Sequence, residues 1–526
     1  MIQHANHPCA WLGAALVLTF ASAANAATIE IGPADDLQGT VNSLQPGDEL
    51  VLQGGVYTLA YRFAITVSGT EQAPILIRSK DNEVAIIEHD ASQNTINVEN
   101  NQWVVLRNLE VRGGGAGIRL SNASFITVSG CHIHDTGDVA LSANIPGSSY
   151  QGLHLVHNHI HNTAGTGEGM YLGCNDNGCQ VFESVIEGNY IHDTKGPNVS
   201  QGDGIELKEG SHDNVIRDNV IHDTGYPCII TYATVGNGNA NVIERNALWA
   251  CGDMGIQSAA DAIIRNNIIL GEAGDGIHNQ PHQAGVPGNL TIVHNTVLVP
   301  GGGAGIRTDG IVGPVVIANN AFYGNGGNAM QATGDLGQLT VVGNVGIGPL
   351  QGISSGFDGS GSLVADFVSA SFSGTVPNDV FPATGGKLVG TGDVAHVADD
   401  DFNGTPRGAV ADVGAYRYDP NGNPGWVLEP DFKDPTPGTG GNGAGGSGTG
   451  GNGTGGNGTG GNGTGAQGAS SSGASGPGAT PSDSGDEGGC GCRLGQAPGR
   501  QGAAGAWLLA LGLLGRRRSG RAPRAS

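Results

Sequence analysis

A recurring asparagine is the feature that most constrains what this chain can fold into. A repeat of about 20–50 residues is the mark of a solenoid, in which each repeat forms one coil. Identical asparagines stacked at a tight turn exchange amide hydrogen bonds between coils, so this pattern predicts an Asn ladder. The asparagines at this position are Asn158, Asn189, Asn219, Asn246, Asn267, Asn295, Asn320 and Asn344, and Cys131 occupies it one coil earlier.

Composition agrees with such a solenoid and limits its partners. Of 526 residues, 38% are hydrophobic but only 5% are aromatic, which suits a core of stacked Val, Ile and Leu. The formal net charge of -24 disfavours nucleic acid and anionic membranes as partners. It also repels an acidic polysaccharide unless cations intervene. We expect an all-β, monomeric parallel β-helix from about residue 30 to about residue 420.

The sequence of the N-terminal part resembles that of a known group of proteins. The chain reads Leu-Gln-Pro-Gly-Asp-Glu-Leu-Val-Leu over residues 44–52 and Gln-Ala-Pro-Ile-Leu-Ile-Arg over residues 72–78. These stretches resemble the start of secreted right-handed parallel β-helix proteins of the pectin-lyase-like class, including the chondroitinase B and alginate lyase group. The resemblance implies a secreted, carbohydrate-active protein, with a polysaccharide lyase as the leading expectation.

Both ends of the chain carry patterns of targeting signals. An apolar run over residues 11–20 precedes an A-x-A-like site at residues 24–26, which is typical of a cleaved signal peptide. At the other end, Cys490, a short apolar run over residues 503–514 and three arginines at residues 516–518 follow in order. This arrangement resembles the C-terminal sorting signal of myxobacterial surface proteins and implies export and attachment to the cell surface. A plain tail anchor is the alternative, and either signal would be the only contact with the membrane.

Between these signals, a composition change marks the end of the folded part. Residues from about 436 to 489 are mostly Gly, Asn, Thr and Ser, which cannot bury a core and predict a flexible tether. The predicted segments are a signal peptide (1–26), an N-terminal cap (27–100), β-helix repeats (101–348), a C-terminal capping segment (349–430), a linker (431–489) and a sorting or anchor signal (490–526).

Four internal cysteines are placed where they can pair. Cys174 and Cys179 bracket a short polar loop, and Cys228 and Cys251 lie one repeat apart. An oxidising compartment permits both disulfides, and free buried thiols are the alternative for each pair. Cys131 is left over in either case.

A stripe of varied residues is predicted along one face of the solenoid. Most coils contain a Gly-Ile or Gly-Met pair, and strand alternation turns this Ile or Met inward and its neighbours outward. The variety of the outward side chains favours a ligand surface, with Tyr171, Gln257, His278 and Arg307 as predicted substrate-binding residues. The outward positions are Arg119, Ser142, Tyr171, Glu206, Ile230, Gln257, His278 and Arg307, and beside them Asn144, Lys208, Tyr232, Gln280 and Asp309.

Residues 202–210 hold the densest set of ionisable side chains in the repeats. Lys208 is a rare lysine that alternation places outward, at what we expect to be an exposed strand position. A lysine whose pKa is lowered by its surroundings can act as a base, so Lys208 is the predicted catalytic base, with Glu206 beside it. Tyr232, one coil away, is expected to act as a second proton carrier or a platform for a sugar ring.

The same stretch offers oxygen ligands for a cation. Asp203, Glu206 and Glu209 supply carboxylates of the kind that bind Ca²⁺, so we predict a possible calcium site there. Glu168 either joins this site or belongs to an ordinary turn. The alternative for the whole stretch is a solvated strand with an internal ion pair, which would contribute little to stability.

Together these residues favour a lyase that cleaves an acidic, uronate-containing polysaccharide by β-elimination. A lyase removes the C5 proton of the uronate and expels the substituent at C4, which requires a base and neutralisation of the sugar carboxylate. A uronan C5-epimerase uses the same proton abstraction and is one alternative, and a non-catalytic surface adhesin is another. The Asn-Thr-Asp, Gly-His-Gly and Arg-Ile-Lys motifs of polygalacturonase-type hydrolases do not occur in the sequence.

Histidine also recurs, three residues after the ladder position. The four residues of this column are His134, His161, His192 and His222, each followed by Asp or Asn. Clustered imidazoles are typical of a metal site, whereas equal residues on neighbouring coils also stack for structural reasons alone. We favour the stacked turn, because the cluster follows the repeat.

Overall fold

The computed structural model of the chain describes residues 26–433, apart from residues 272 and 377. Its strands form three long parallel sheets, here called A, B and C. Through the middle of the chain, each coil contributes one strand to each sheet in that order, so the predicted parallel β-helix is confirmed.

Each sheet is built from short strands stacked coil upon coil. The thirteen strands of sheet A are Thr28–Ile31, Glu49–Leu52, Ile75–Ser79, Gln102–Arg107, Ser124–Ser129, His154–Val156, Val185–Glu187, Val215–Arg217, Asn241–Glu244, Ala262–Arg265, Leu290–Val293, Val315–Ala318 and Leu339–Val342. The thirteen strands of sheet B are Gly55–Thr58, Ala85–His89, Glu110–Gly113, His132–His134, His159–His161, Tyr190–Thr194, Val220–Thr224, Ala247–Trp249, Ile268–Leu270, Thr296–Val299, Ala321–Gly324, Asn344–Ile347 and Phe357–Asp358. The twelve strands of sheet C are Phe63–Ile65, Ile96–Glu99, Ile118–Ser121, Leu141–Ala143, Met170–Leu172, Ile205–Leu207, Ile229–Thr231, Ile256–Ser258, Ile277–Asn279, Ile306–Ile311, Met330–Gly334 and Leu350–Gln351.

The few remaining elements lie outside these sheets. The helix Leu37–Ser43 begins at Asp36, whose side chain accepts a hydrogen bond from the backbone of Gly39. The others are the helix Leu363–Asp366, the 3₁₀ turns Asn175–Asn177, Leu336–Gln338 and Val394–His396, and the strand pairs Ser149–Gln151 with Gln180–Phe182 and Phe367–Ser369 with Asp379–Pro382.

The interior of the solenoid is a column of aliphatic residues. Ile186, Ile216 and Ile243 pair on neighbouring strands of sheet A and are fully buried. Equivalent residues of sheets B and C point at them from the other sides, which joins the coils into one continuous hydrophobic core. Burial of these stacked side chains stabilises each coil against its neighbours.

The Asn ladder runs along the turn between sheets A and B. The side chain of Asn189 donates from Nδ2 to Oδ1 of Asn219 at 2.9 Å and to the backbone oxygen of Leu155 at 2.8 Å. The same bonds recur from Asn158 to Asn344, and all of these asparagines are buried. The predicted ladder is therefore confirmed, and it satisfies backbone groups that the tight turns would otherwise leave unpaired.

Both predicted cysteine pairs are disulfides. Cys174 bonds to Cys179, with their Cα atoms 4.9 Å apart, and Cys228 bonds to Cys251, with their Cα atoms 5.4 Å apart. Cys131 is a buried free thiol, and its backbone nitrogen donates to Oδ1 of Asn158 at the start of the ladder.

Residues 363–433 pack along the outer face of sheet B. Phe381, Phe402 and Tyr416 belong to one buried cluster with Trp249 and Leu270 of that sheet. At the end of the described chain, Lys433 donates from Nζ to Oδ1 of Asp218 at 2.8 Å. This stretch contains most of the predicted capping segment, and it covers the side of the solenoid from the strand Val220–Thr224 onward.

Three predicted segments lie outside the described residues or nearly so. These are the signal peptide, all but the first few residues of the linker, and the C-terminal sorting or anchor signal. Within residues 26–433, no helix has the length and apolar character needed to cross a membrane.

Candidate active site

The predicted stripe lies on the outer face of sheet C. The register pairs Tyr171 with Glu206, and paired residues on neighbouring parallel strands lie about 4.8 Å apart. The order along this face is Arg119, Ser142, Tyr171, Glu206, Ile230, Gln257, His278 and Arg307.

Lys208 faces outward, but it is not exposed. The residue is 4% exposed, and Glu206 and Asp203 are 2% exposed each. The expectation of an exposed strand position was therefore wrong, and the alternative of a solvated strand is excluded as well. A buried ionic group needs partners, so the contacts of Lys208 decide what this site can do.

A distant loop accounts for this burial. The ring of His282 stacks on Tyr232, with ring centres 4.8 Å apart. Its neighbour Gln283 donates from Nε2 to Oδ1 of Asn175 at 2.9 Å, although the two residues are 108 positions apart in the chain. The loop that carries His282 and Gln283 thus lies across the outer face of sheet C, on the Tyr232 side of the lysine.

Lys208 sits between two tyrosines and against a carboxylate. Its Nζ atom lies 4.7 Å from the ring centre of Tyr171 and 4.9 Å from that of Tyr232. Nζ forms an ion pair with Oε1 of Glu206, and the hydroxyl of Tyr232 donates to the same oxygen at 3.0 Å. Gly173 in the preceding coil makes room for this lysine, since a Cβ atom there would lie 3.0 Å from Cβ of Lys208.

These neighbours set the protonation of the lysine and the tyrosines. Burial lowers the pKa of Lys208, but the charge of Glu206 and hydrogen bonds to Glu206 and Tyr171 raise it overall. Burial raises the pKa of Tyr171 to about 12. The pKa of Tyr232 rises even further, because this hydroxyl is buried and bonded to Glu206.

Three buried carboxylates lie beside the lysine. Glu168, Asp203 and Glu206 each offer an oxygen, and these oxygens all lie within 4.8 Å of one another. Glu168 and Asp203 hold equivalent positions on neighbouring coils, each followed by a glycine and then by the inward residue of a sheet C strand. Thr166 donates to one oxygen of Glu168 at 2.6 Å.

This trio carries more negative charge than its surroundings balance. Oε1 of Glu168, Oδ1 of Asp203 and Oε2 of Glu206 are buried and have no hydrogen-bond partner among the described residues. Burial and the charge of Glu206 raise the pKa of Glu168 to about 7. Burial and the charges of Glu206 and Glu168 raise the pKa of Asp203 well above its usual range. Three carboxylates that converge, each with one buried oxygen that lacks a hydrogen-bond partner, fit a hard cation such as Ca²⁺.

The predicted substrate-binding residues fall into two groups. Tyr171 is partly exposed and lies beside Lys208, whereas His278 lies three coils beyond Glu206. His278 places Nδ1 3.3 Å from Oδ2 of Asp275 and Nε2 3.4 Å from Oδ2 of Asp309. Arg307 donates from Nε to the same Asp309 oxygen at 2.6 Å. Gln257 is buried between the two groups.

Sequence reasoning placed part of the acidic cluster and missed the rest. Glu209, one of its three expected ligands, is buried at the end of the strand but is not among the carboxylates that converge. Glu168 takes that place, and its position before a Gly-Met pair, as Asp203 stands before Gly-Ile, was the signal in the sequence. No local pattern points to His282, whose contact with Tyr232 depends on how a loop two coils beyond that tyrosine folds back.

A family model decides which group of proteins this chain falls in. The model, described as the Pel9A-like right-handed β-helix region, matches residues 16–295, which is more than half of the chain. The chain belongs to this family. Its coil architecture is the one predicted from the Asn repeat, and its right-handedness is the one implied by the resemblance of residues 44–52 and 72–78 to secreted β-helix proteins.

Solved structures to which the chain is similar include two lyases and one epimerase. An alginate lyase from Paenibacillus sp. str. FPU-7 is 24% identical, with 63% of this chain and 97% of that chain covered and a TM-score of 0.37. Pectate lyase Pel9A is 14% identical, with 75% and 96% covered and a TM-score of 0.45. The A-module of the Azotobacter vinelandii mannuronan C-5 epimerase AlgE6 is 12% identical, with 59% and 90% covered and a TM-score of 0.43. At these values no residue role transfers to this member of the Pel9A-like family. No match was found among curated proteins.

Proposed function

We propose that this Pel9A-like protein is a lyase that cleaves a uronate-containing polysaccharide by β-elimination. The observation that carries the proposal is the buried Lys208, held between Tyr171 and Tyr232 and against Glu206. A lysine and a tyrosine in contact supply the base and the acid that an elimination requires. A structural ion pair alone would not call for a tyrosine on each side.

Lys208 is the base in this proposal. Its unprotonated amine takes the C5 proton of the uronate, and the electrons of that C–H bond form a double bond between C4 and C5. The amine must lose its own proton before the first turnover, and Glu206 is the carboxylate in contact with it. The pKa of Lys208 is raised, so most of the amine is protonated at neutral pH. The unprotonated, reactive form becomes more abundant as the pH increases.

Tyr171 is the acid, which departs from the sequence-based choice of Tyr232. Tyr171 is partly exposed, whereas Tyr232 is 4% exposed and has His282 stacked on its ring. With a pKa of about 12, Tyr171 keeps its proton at neutral pH and can pass it to the C4 oxygen as the C4–O bond breaks. Lys208 then returns the abstracted proton to Tyr171, so both groups recover their starting state. Tyr232 positions Lys208 and Glu206 by hydrogen bonds.

Glu168, Asp203 and Glu206 would hold a calcium ion. Each of these residues has one buried oxygen without a partner, and together they bring ligand oxygens within 4.8 Å of one another, which supports this assignment. When bound, Ca²⁺ would neutralise the carboxylates, lower the pKa of the nearby lysine and attract the carboxylate of the substrate. A cation would also offset the repulsion between a polyanion and a chain of net charge -24.

Two arginines extend the stripe on either side of the lysine. Arg119 lies two coils before Tyr171, and its Nε atom is buried with no hydrogen-bond partner among the described residues. Arg307 lies at the other end with 40% of its side chain exposed. We assign both arginines, with Gln257 and His278, to binding further uronate units, because guanidinium groups pair with carboxylates in a bidentate manner.

The proposed setting is the cell surface. Two disulfides suit an oxidising compartment, which supports export. Deletion of residues 490–526 should release the protein into the medium, because the preceding Gly-rich stretch has no affinity for a membrane. Retention of the truncated protein on the cells would overturn this part of the proposal.

The proposed activity is tested with the purified full chain. The protein is mixed with alginate, polygalacturonate and a neutral glucan, with calcium or with a chelator, and the ultraviolet absorbance of unsaturated chain ends is followed. We expect absorbance to rise with one acidic polymer, faster with calcium, and not with the glucan. If neither acidic polymer gives unsaturated ends under any condition, the proposed reaction is wrong for these substrates and the adhesin alternative gains support.

A further inference from the structure

Six histidines cluster on the outer face of sheet B, away from the lysine. Sequence analysis identified one column of four, and the structure adds a second column from the strand position two residues earlier. The column found in the sequence stacks with ring centres 5.2, 5.0 and 5.2 Å apart. The second column consists of His132 and His159, whose ring centres lie 4.7 Å apart.

The two columns are joined by contacts between ring nitrogens. Nε2 of His132 lies 2.8 Å from Nε2 of His161, and Nε2 of His159 lies 2.9 Å from Nε2 of His192. Stacking of equal residues along the solenoid does not require such contacts, because they run diagonally between columns. Each pair brings two metal-ligating nitrogens to one point.

One of these pairs has a third imidazole beside it. A ring nitrogen of His134 lies within 4.8 Å of the nitrogens of His132 and His161. Glu110, on the preceding strand, places Oε1 3.4 Å from Nε2 of His134 and adds a negative charge at the same place. Three imidazoles with one further position for water or a carboxylate are a common ligand set for Zn²⁺.

Neighbouring residues prepare the rings for metal binding. Asp135 holds Nδ1 of His134 at 2.8 Å, and its left-handed φ of 55° belongs to the turn that directs this carboxylate at the ring. A carboxylate on Nδ1 fixes the proton there and leaves Nε2 free as a ligand.

The C-terminal segment touches the edge of this cluster, where the ring centre of Phe432 lies 6.2 Å from that of His159. In the register of sheet B, His132, His159 and Tyr190 are followed on the next strands by Val220, Ala247 and Ile268. These last three residues are apolar and are buried under the C-terminal segment. His132 and His161 lie on coils before this covered region and are partly exposed. An ion in solution can therefore reach them.

We propose that His132, His134 and His161 form a binding site for a divalent transition-metal ion of the Zn²⁺ and Cu²⁺ class. The site uses nitrogen ligands, whereas the carboxylates near Lys208 suit Ca²⁺, so the two sites select different ions. It is independent of the proposed lyase activity, since it lies on another sheet.

The test is metal binding by the full chain, prepared without a polyhistidine tag. Zn²⁺ is titrated by calorimetry in excess Ca²⁺, which keeps the carboxylate site occupied. We expect His132→Asn and His161→Asn each to weaken Zn²⁺ binding by about 10- to 100-fold or more. The matched control is His212→Asn, because His212 has the same Nδ1 contact to an aspartate at 2.7 Å, but its ring stacks on Phe182 rather than on another histidine.

A second measurement does not depend on whether the variants fold. The electron paramagnetic resonance spectrum of Cu²⁺ bound to the unaltered protein should show coupling to several imidazole nitrogens. Zn²⁺ affinity that is equal in all three variants, or a Cu²⁺ spectrum without nitrogen coupling, would overturn the proposal.

Discussion

Lys208 places its Nζ atom 4.7 Å from the ring centre of Tyr171, and Tyr171 is the more exposed of the two tyrosines that flank the lysine. A base and an acid in contact can exchange a proton directly after each elimination. Tyr232, on the other side, is buried under His282 and shares the oxygen of Glu206 with the lysine. The two tyrosines therefore have different expected roles, although both touch the same amine.

Replacing each tyrosine by phenylalanine separates these roles. Tyr171→Phe should lower kcat by about 10²- to 10⁴-fold, the usual contribution of a general acid. Tyr232→Phe removes hydrogen bonds but no reacting group, so a loss of about tenfold is expected. Initial rates of unsaturated product formation measure both. A larger loss for Tyr232→Phe than for Tyr171→Phe would reverse the assignment.

Replacing Lys208 is expected to lower stability as well as turnover. Lys208→Met should abolish activity and destabilise the fold by about 3–5 kcal/mol, because Glu206 is left buried without its partner. The double variant Lys208→Met/Glu206→Gln should recover much of that stability but none of the activity. Lys195→Met is the control, because Lys195 pairs with Asp223 at the surface. Urea unfolding and rate measurements check this, and activity in either Lys208 variant would place the base elsewhere.

The rate should increase towards alkaline pH. Glu206 and Tyr171 raise the pKa of Lys208 in spite of burial, so the fraction of unprotonated amine grows as the pH rises. The acid Tyr171 stays protonated until the pH approaches its pKa of about 12. A pH profile of kcat/KM with calcium present measures this, and an optimum below pH 6 would be incompatible with lysine as the base.

The acidic cluster should make the metal-free protein less stable as the pH rises. Glu168 has a folded-state pKa of about 7 against its usual 4.5, so the folded state binds more protons than the unfolded state between these values. Stability from this group is present below pH 4.5 and falls by about 3 kcal/mol as the pH rises through 7. Glu168→Gln should remove this dependence, as should Ca²⁺ in the parent. The free energy of unfolding is measured by urea denaturation at pH 5 and at pH 8 with chelator. The same change in this free energy between the two pH values in the parent and in Glu168→Gln would contradict the prediction.

The Asn ladder should stabilise every coil that it joins. Asn219→Ala should destabilise the protein by about 1–3 kcal/mol, since buried partners of the lost amide are left unpaired. Asn325 is exposed and outside the ladder, so Asn325→Ala should change stability by less than about 0.5 kcal/mol. Thermal unfolding of both variants gives the comparison, and similar values would mean that the ladder contributes little.

The repeat made the fold predictable, because each coil is defined by a short local sequence pattern. Each ladder asparagine follows a short apolar strand and precedes another, and this pattern repeats whatever the loops between strands contain. The stripe on sheet C followed for the same reason, since alternation along a strand decides which side chains face outward.

The burial and completion of the candidate site were not predictable in this way. Lys208 is covered by a loop whose residues His282 and Gln283 come three coils later, and Glu168 reaches the cluster from the coil before. Which loop residues meet across coils depends on how each turn folds, and coil lengths vary along this chain. The same limit hid the diagonal contact between His132 and His161.

The most direct test of the central claim is the proton magnetic resonance spectrum of products formed in D₂O by the purified full chain acting on alginate or polygalacturonate. A lyase that uses Lys208 predicts an olefinic proton at C4 of new chain ends, no deuterium at C5 of intact residues, and neither signal with Lys208→Met. Deuterium at C5 without olefinic protons would show an epimerase instead, and an unchanged polymer would contradict catalysis on these substrates.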